Sequence, residues 1–239
     1  MSPEYLSCRV AAVALVRVAA EDMPARRKAP GPVCGEQVSP AFLKNADEQT
    51  VACLAAVLQA THDAGLAPDG PTAFREWGVV AAPRFVGRDV IRRDVMDFLK
   101  EGPWGVSPHV IPHRSLHSPS GAVSVALGIR GPNLGAGGGP GGDAEGLLAA
   151  LALLWERRLP GVWLLLSRVE PLVEADQPKG QLPPGTCAVA AAFALTLAGA
   201  GPTLSLEPGD GGPLSAEALL AGRPCAVPGL GRVSLRHAC

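Results

Sequence analysis

Between Gly135 and Ser167 the chain reads GAGGGPGGDAEGLLAALALLWERRLPGVWLLLS: a glycine loop, an apolar helix and a continuous apolar strand in immediate succession. This run constrains the fold more than any other. Leu147, Leu148, Leu151, Leu154 and Trp155 share one helical face, but Ala and Leu fill most of the rest of Gly142–Arg158. A helix apolar nearly all round is expected to be buried nearly all round. Val162–Ser167 (VWLLLS) does not alternate and reads as a strand covered on both faces.

The rest of the chain repeats this alternation. Cys8–Val18 is apolar and β-branched, the pattern of a central strand. Pro24–Pro40 reads as a Pro/Gly-rich loop, and Asn45–Ala64 as an amphipathic helix with Asp47 and Glu48 in its first turn. Gly65 follows as its stop signal. Trp77–Ala82 is a short buried strand, Asp89–Lys100 a helix and Gly102–Pro112 a loop. Ser118–Gly128 (SPSGAVSVALG) carries both periodicities. Val123, Val125, Leu127 and Ile129 alternate, whereas Ser118-Pro119 looks like an N-cap followed by proline, so a helix is expected. Pro171–Gly185 is polar loop. Cys187–Leu197 and Thr203–Leu206 are expected to pair across the Gly199–Pro202 turn. From about Glu207 a Gly/Pro-rich tail is weakly patterned. The whole is expected to be one α/β domain over residues 1–239, a mixed sheet with helices on both faces.

Hydrophobic residues make up 47% of the 239 and charged residues 18%, with a formal net charge of −1. Such a balance excludes the basic excess of a nucleic-acid binder. The dense basic run Arg26-Arg27-Lys28 reads as a solvated loop. Six cysteines, at 8, 34, 53, 187, 225 and 239, form no CxxC pair, which suits free thiols in a reduced cytoplasm and neither a zinc site nor a disulfide framework. Val10–Ala20 is interrupted by Arg17 and preceded by Glu4, so it reads as a strand rather than a leader peptide, and no membrane span is expected.

The glycine loop admits three readings. Gly137, Gly139 and Gly142 match GxGxxG before a helix, but Arg130-Gly131-Pro132-Asn133 separates them from the strand candidate, and no phosphate-loop Lys or Ser/Thr is present. Alternatively the glycines let a buried backbone pass close to its neighbours, with Pro140 suited to a helix start.

The third reading comes from resemblance. SPHVIPHRSLHSPSGAVSVALGIRGPNLG, then the Ala/Leu helix and VWLLLS, resembles the N-terminal half of the β-ketoacyl synthases. NADEQTVACLAAVLQATHDAGL and WGVVAA resemble the earlier helix and strand of that family, so that the likeness spans roughly residues 8–207. It implies a thiolase-like half-fold, one side of a molecule whose two halves share a central helix layer. Counting from Gly131-Pro132-Asn133, the nucleophilic cysteine of the family falls on Pro140. Proline has neither a nucleophile nor the N–H that would help hold an oxyanion. The catalytic histidines of the family belong to a C-terminal half, and His237 has no matching motif. The resemblance therefore implies a non-catalytic protein. Its expected role is that of a chain-length-factor-type subunit that shapes an acyl pocket or docks a carrier protein, paired with a second copy or with a ketosynthase. The expected catalytic set is empty, and neither cofactor nor metal is called for.

A competing reading makes Gly137, Gly138, Gly139, Gly141 and Gly142 an N–H cradle for a CoA, phosphopantetheine or nucleotide phosphate, with Asp143 opposing it. A further one makes Cys187 a displaced nucleophile, although nothing in its neighbourhood lowers its pKa by pattern. His109, His113 and His117 are spaced by four, but Pro108, Pro112 and Pro119 interrupt the helix that would gather them on a metal. His62-Asp63 reads as a helix-end pair, and Trp155 and Trp163 as core or interface.

Overall fold

The computed structural model describes residues 6–32, 40–66, 73–106, 108, 110–171 and 182–237. In chain order the elements are β1 (Leu6–Ala19), α1 (Met23–Lys28), α2 (Pro40–Leu43), α3 (Glu48–Asp63), β2 (Gly78–Pro83), α4 (Arg88–Glu101), α5 (Val110–Arg114), α6 (Ser118–Leu127) and β3 (Asn133–Gly135). They continue with α7 (Gly142–Glu156), β4 (Val162–Glu170), β5 (Cys187–Thr196), β6 (Thr203–Glu207), α8 (Ala216–Leu220), β7 (Cys225–Val227) and β8 (Gly231–Arg236). A 3-10 turn at Gly102–Gly105 follows α4. The eight strands of the described residues join one mixed sheet in the order β3-β2-β4-β5-β1-β6-β8-β7, parallel among β3, β2 and β4 and antiparallel elsewhere.

The α/β reading holds, with helices on both faces. One face carries α3 and α6 over Val79, Ala81, Trp163, Leu165 and the even-numbered alanines of β5; the other carries α7 and α8 over Val80, Ala82, Leu164, Leu166 and Phe193. Under α3, Phe74 packs edge to face on Trp77 and Trp163, with centroids 5.0 and 5.7 Å away, and the two indoles are tilted against each other at 6.0 Å. Trp163 is thus core, whereas Trp155 is 42% exposed.

The two long helices exchange their expected roles. α3 is buried almost all round, Gln49 and Thr50 included, because the sheet lies below it and α1 and α6 flank it. Asp47 caps it, its Oδ1 accepting from the Gln49 N–H at 2.8 Å. Gly65 (φ 60°) closes it, with Leu66 N–H donating to Thr61 O and Gly65 N–H to His62 O. By contrast α7 packs on β2 and β4 through Leu147, Ala150, Leu151 and Leu154, while Glu145, Ala152 and Trp155 are exposed and Leu148 and Ala149 half-buried.

Other expectations change for local reasons. β5 and β6 do not pair, because β1 lies between them and runs antiparallel to both. The 197–202 connection passes over β1 where its register slips between Val10 and Ala12. There Val10 N–H donates to Pro202 O, and a Cβ on Gly201 would lie 2.3 Å from Val10 O. The slip also reverses the alternation of β1: Cys8 and Val10 face α7 and α8, whereas Ala12 and Val18 face α3.

Arg26-Arg27-Lys28 belongs to α1 rather than to a loop, and Arg27 is largely buried, donating to Leu43 O, Ala46 O and, at 2.8 Å, Glu48 Oε1. Part of Gly102–Pro112 is helical, as 3-10 turn and α5. The N-cap of α6 is His117 rather than Ser118, whose Oγ reaches back to the Ser115 N–H at 2.9 Å. The residues after Glu207 are ordered: β8 pairs with β6, β7 with β8, and Leu219 is buried over them. Segments 33–39 and 172–181 of the expected loops lie outside the described residues. No helix among the described residues is long and apolar enough to cross a membrane.

Candidate functional site at the start of helix 142–156

Parallel strands β3, β2 and β4 run toward one end of the sheet, staggered there, with Gly135 paired to Ala81 and Pro83 to Ser167. In open sheets this edge is where ligands and chemistry collect. The glycine loop leaves β3 here and turns into α7. Gly137 (φ 75°) and Gly138 (φ 101°) take left-handed conformations. A Cβ on Gly137 would stand 2.5 Å from Gly142 Cα, and one on Gly138 2.9 Å from Leu116 Cδ2. Gly138 O accepts the Phe85 N–H at 3.0 Å, tying the loop to the end of β2.

Beyond Gly138 the constraint disappears. A Cβ on Gly139 would meet nothing within 4 Å, and one on Gly141 only Glu145 Oε1 at 3.9 Å. Gly142 N–H donates to Gly139 O at 3.1 Å across Pro140 and Gly141, and Gly141 sits at φ −90°, ψ 2°. These are the marks of a type I turn with proline at its second position. Pro140 is exposed at the tip.

The first turn of α7 buries Asp143. Arg84, one residue past β2, grips it with Nη2 2.9 Å from Oδ2 and Nε 3.3 Å from Oδ1. Burial pushes the Asp143 carboxyl above its ordinary value, Arg84 and Arg168 pull against that rise, and Glu217 adds to it. Behind this pair lies a four-membered charge cluster. Arg168 Nη2 is 2.5 Å from Glu217 Oε1 and 2.6 Å from Glu170 Oε1. Arg17 reaches the same two carboxylates at 3.0 and 2.6 Å. For both glutamates burial acts upward, but it is outweighed, at Glu170 by hydrogen bonds from Arg17 and Arg168 and at Glu217 by hydrogen bonds from Arg168 and the backbone with the charge of Arg17 beside them, so both stay below the usual range. The cluster fastens α8 to β1 and β4. In the sequence Asp143 stands out only as a carboxylate opposing an anion at the loop, and Arg17 only as a charge interrupting an apolar run. Arg84, Arg168 and Glu217 are isolated charges there, brought together only by the strand order.

The five glycines expected to form a cradle are contiguous with this site. The Gly142 N–H is engaged within the turn, and Asp143 and Glu145 already supply negative charge to the first turn of α7. Loop, Arg84, Asp143, Arg168 and Glu217 together carry no thiol, hydroxyl or imidazole. Among the described residues the cysteines lie elsewhere: burial pushes Cys8 and Cys53 up to about 12, and Cys187 is half-buried at the start of β5.

Of the three spaced histidines, His109 lies outside the described residues, His113 is in α5 and His117 caps α6. No group of three or more His, Cys, Asp or Glu able to hold a metal occurs among the described residues. His62 sits at the exposed end of α3, its Nδ1 3.1 Å from Asp63 Oδ1.

No protein-family model matches the sequence, and no curated protein matches it. Solved structures match the fold. The chain superposes on the ishigamide ketosynthase/chain length factor with a TM-score of 0.54 at 17% identity, covering 84% of this chain and 65% of that one. A β-ketoacyl synthase from Burkholderia phymatum gives 0.55 at 13%, covering 80% and 59%. A ketosynthase in complex with its chain length factor from Xenorhabdus doucetiae gives 0.50 at 14%, covering 84% of each chain. The fold is thus the thiolase-like fold of ketosynthases, as the resemblance implied, and the chain spans under two thirds of the length of the first and second of these structures.

Proposed function

We propose that this ketosynthase-fold protein is a non-catalytic partner subunit, one that completes or shapes an acyl pocket beside a ketosynthase or presents a docking face to an acyl carrier protein. The observation that carries the reading is Pro140. It stands at the tip of the loop that delivers the chain to α7, the place that the resemblance assigns to a nucleophilic cysteine, and its ring offers neither thiol nor N–H. The surrounding Arg84–Asp143 pair is a structural clamp rather than an acid–base couple, since both members are engaged with each other.

Two exposed features support a partner. The outer side of α7 presents Leu148, Ala149, Ala152 and Trp155. The edge strand β3, with Leu134 exposed, is paired on one side by β2. An open strand edge is a template for another chain.

The test is co-purification from the native host of the tagged chain with untagged ketosynthase or carrier protein, beside a Leu148→Glu/Trp155→Glu variant. Expected are a stoichiometric complex lost in the variant and no covalent mass increase when the chain alone meets acyl-CoA. Covalent acylation of the isolated chain would overturn the non-catalytic reading. Saturable CoA binding by the isolated chain, abolished by substitution in the 137–142 loop and without any protein partner, would favour the cradle instead.

A further inference from the structure

A cavity of about 320 Å³ opens between the N-terminal end of α3 and the α5–α6 segment, on the opposite face of the sheet from α7. Its floor is buried: Ala46, Thr50, Ser118 and Ala122. Its rim is His113, His117 and Val125, half-buried to exposed, with Phe42 alongside. A volume at the lower end of small-molecule pockets suits a compact ligand.

Two polar features mark the site as more than a packing gap. Thr50 is 2% exposed, yet its Oγ1 has no hydrogen-bond partner among the described residues. A buried hydroxyl left unpaired is costly, and a helical threonine has two accessible χ1 wells, so turning toward the cavity sacrifices no existing bond. At the rim, His117 Nδ1 lies 3.4 Å from Ser120 Oγ, which leaves Nε2 without a partner among the described residues. The carboxylates beside the floor do not bar an anion. Asp47 and Glu48 are held by Arg114 at 3.3 and 3.4 Å, and Glu48 also by Arg27 at 2.8 Å.

The geometry points to a binding site for a small monocarboxylate with an apolar body, the hydrocarbon lying against Phe42, Ala46, Ala122 and Val125 and the carboxylate held by the His117 imidazole and the Thr50 hydroxyl. The site is separate from the 137–142 loop and needs no partner subunit, so it stands or falls independently of the function proposed above.

The experiment is titration of the full chain with hexanoate and benzoate by calorimetry, with hexanamide as the uncharged control. Saturable one-to-one binding is expected for at least one acid, at least tenfold tighter than for the amide. Gly121→Leu is the blocking variant. A Cβ at Gly121 meets only His117 Cδ2, at 3.8 Å, and leucine favours the helix, so the protein folds while the cavity fills. Binding should fall at least tenfold in Gly121→Leu and threefold or more in Thr50→Val, whose hydroxyl has no bond to lose. No saturable binding of either acid, equal binding of the amide, or unchanged binding in Gly121→Leu would each overturn the assignment.

Discussion

Arg84 and Asp143, fifty-nine positions apart, close on each other in a two-point ion pair that locks the end of β2 to the first turn of α7. Asp143 is buried and Arg84 about a quarter exposed, so the carboxylate depends on the guanidinium more than the reverse. Arg84→Ala is expected to cost about 2 kcal/mol, because it leaves a buried charge unpaired. In an Asp143→Ala background the same change should cost much less. Denaturant unfolding of the double-mutant cycle checks this; equal costs in the two backgrounds would show that the pair is not coupled.

The glycine loop divides into positions that require glycine and positions that do not. Gly137→Ala forces a left-handed backbone and a 2.5 Å approach to Gly142 Cα, and Gly146→Ala drives a methyl to 2.4 Å from the Ala82 Cβ where α7 crosses β2. Each should destabilise by about 1–3 kcal/mol. Gly139→Ala has open space and no left-handed φ, and should be neutral or stabilise by up to about 1 kcal/mol through the unfolded chain. Melting temperatures of the three variants decide; an ordering with Gly139→Ala the least stable would contradict the geometry.

Acid should release α8 early. Glu170 and Glu217 are held below the usual glutamate value by Arg168 and Arg17, so their contribution is complete above that value and is lost as pH falls through the depressed one. Hydrogen exchange of α8 amides should therefore accelerate below about pH 4 before the α3 amides respond. In Glu217→Gln this acid step should be weakened. Simultaneous loss of protection in α8 and α3 would remove the cluster from that role.

Cys8 and Cys53 should be inert. Burial pushes both thiols up to about 12, so at pH 8 almost no thiolate is present and none is accessible. Alkylation followed by peptide mass mapping should find both unmodified in the native protein and modified after unfolding. Native-state labelling at either position would mean that the strand β1 or helix α3 opens locally.

The strands and helices whose signals are local were legible in the sequence. Cys8–Val18, Val162–Ser167 and the helix before Gly65 follow from runs of apolar residues and from stop signals that act within a turn or two. Gly128 (φ 63°) settled the ambiguous Ser118–Gly128 segment as helix by the same local means. The tail after Glu207 was not legible, because β7 and β8 are short and form by long-range pairing, β8 onto β6 and β7 onto β8. Likewise Arg27 reads as one of three solvated charges until α3 presents Glu48 to it.

The glycine loop, the proline at its tip and the apolar helix after it follow from residue order alone, since backbone freedom and side-chain chemistry are properties of each residue. Which helix is enclosed and which is left open, the place of β1 between β5 and β6, and the meeting of Arg84, Asp143, Arg168 and Glu217 at one end of the sheet arise from packing in three dimensions. The reason is physical: burial and ion pairing depend on what packs from outside an element, and residues distant in the chain carry no local trace of their partners.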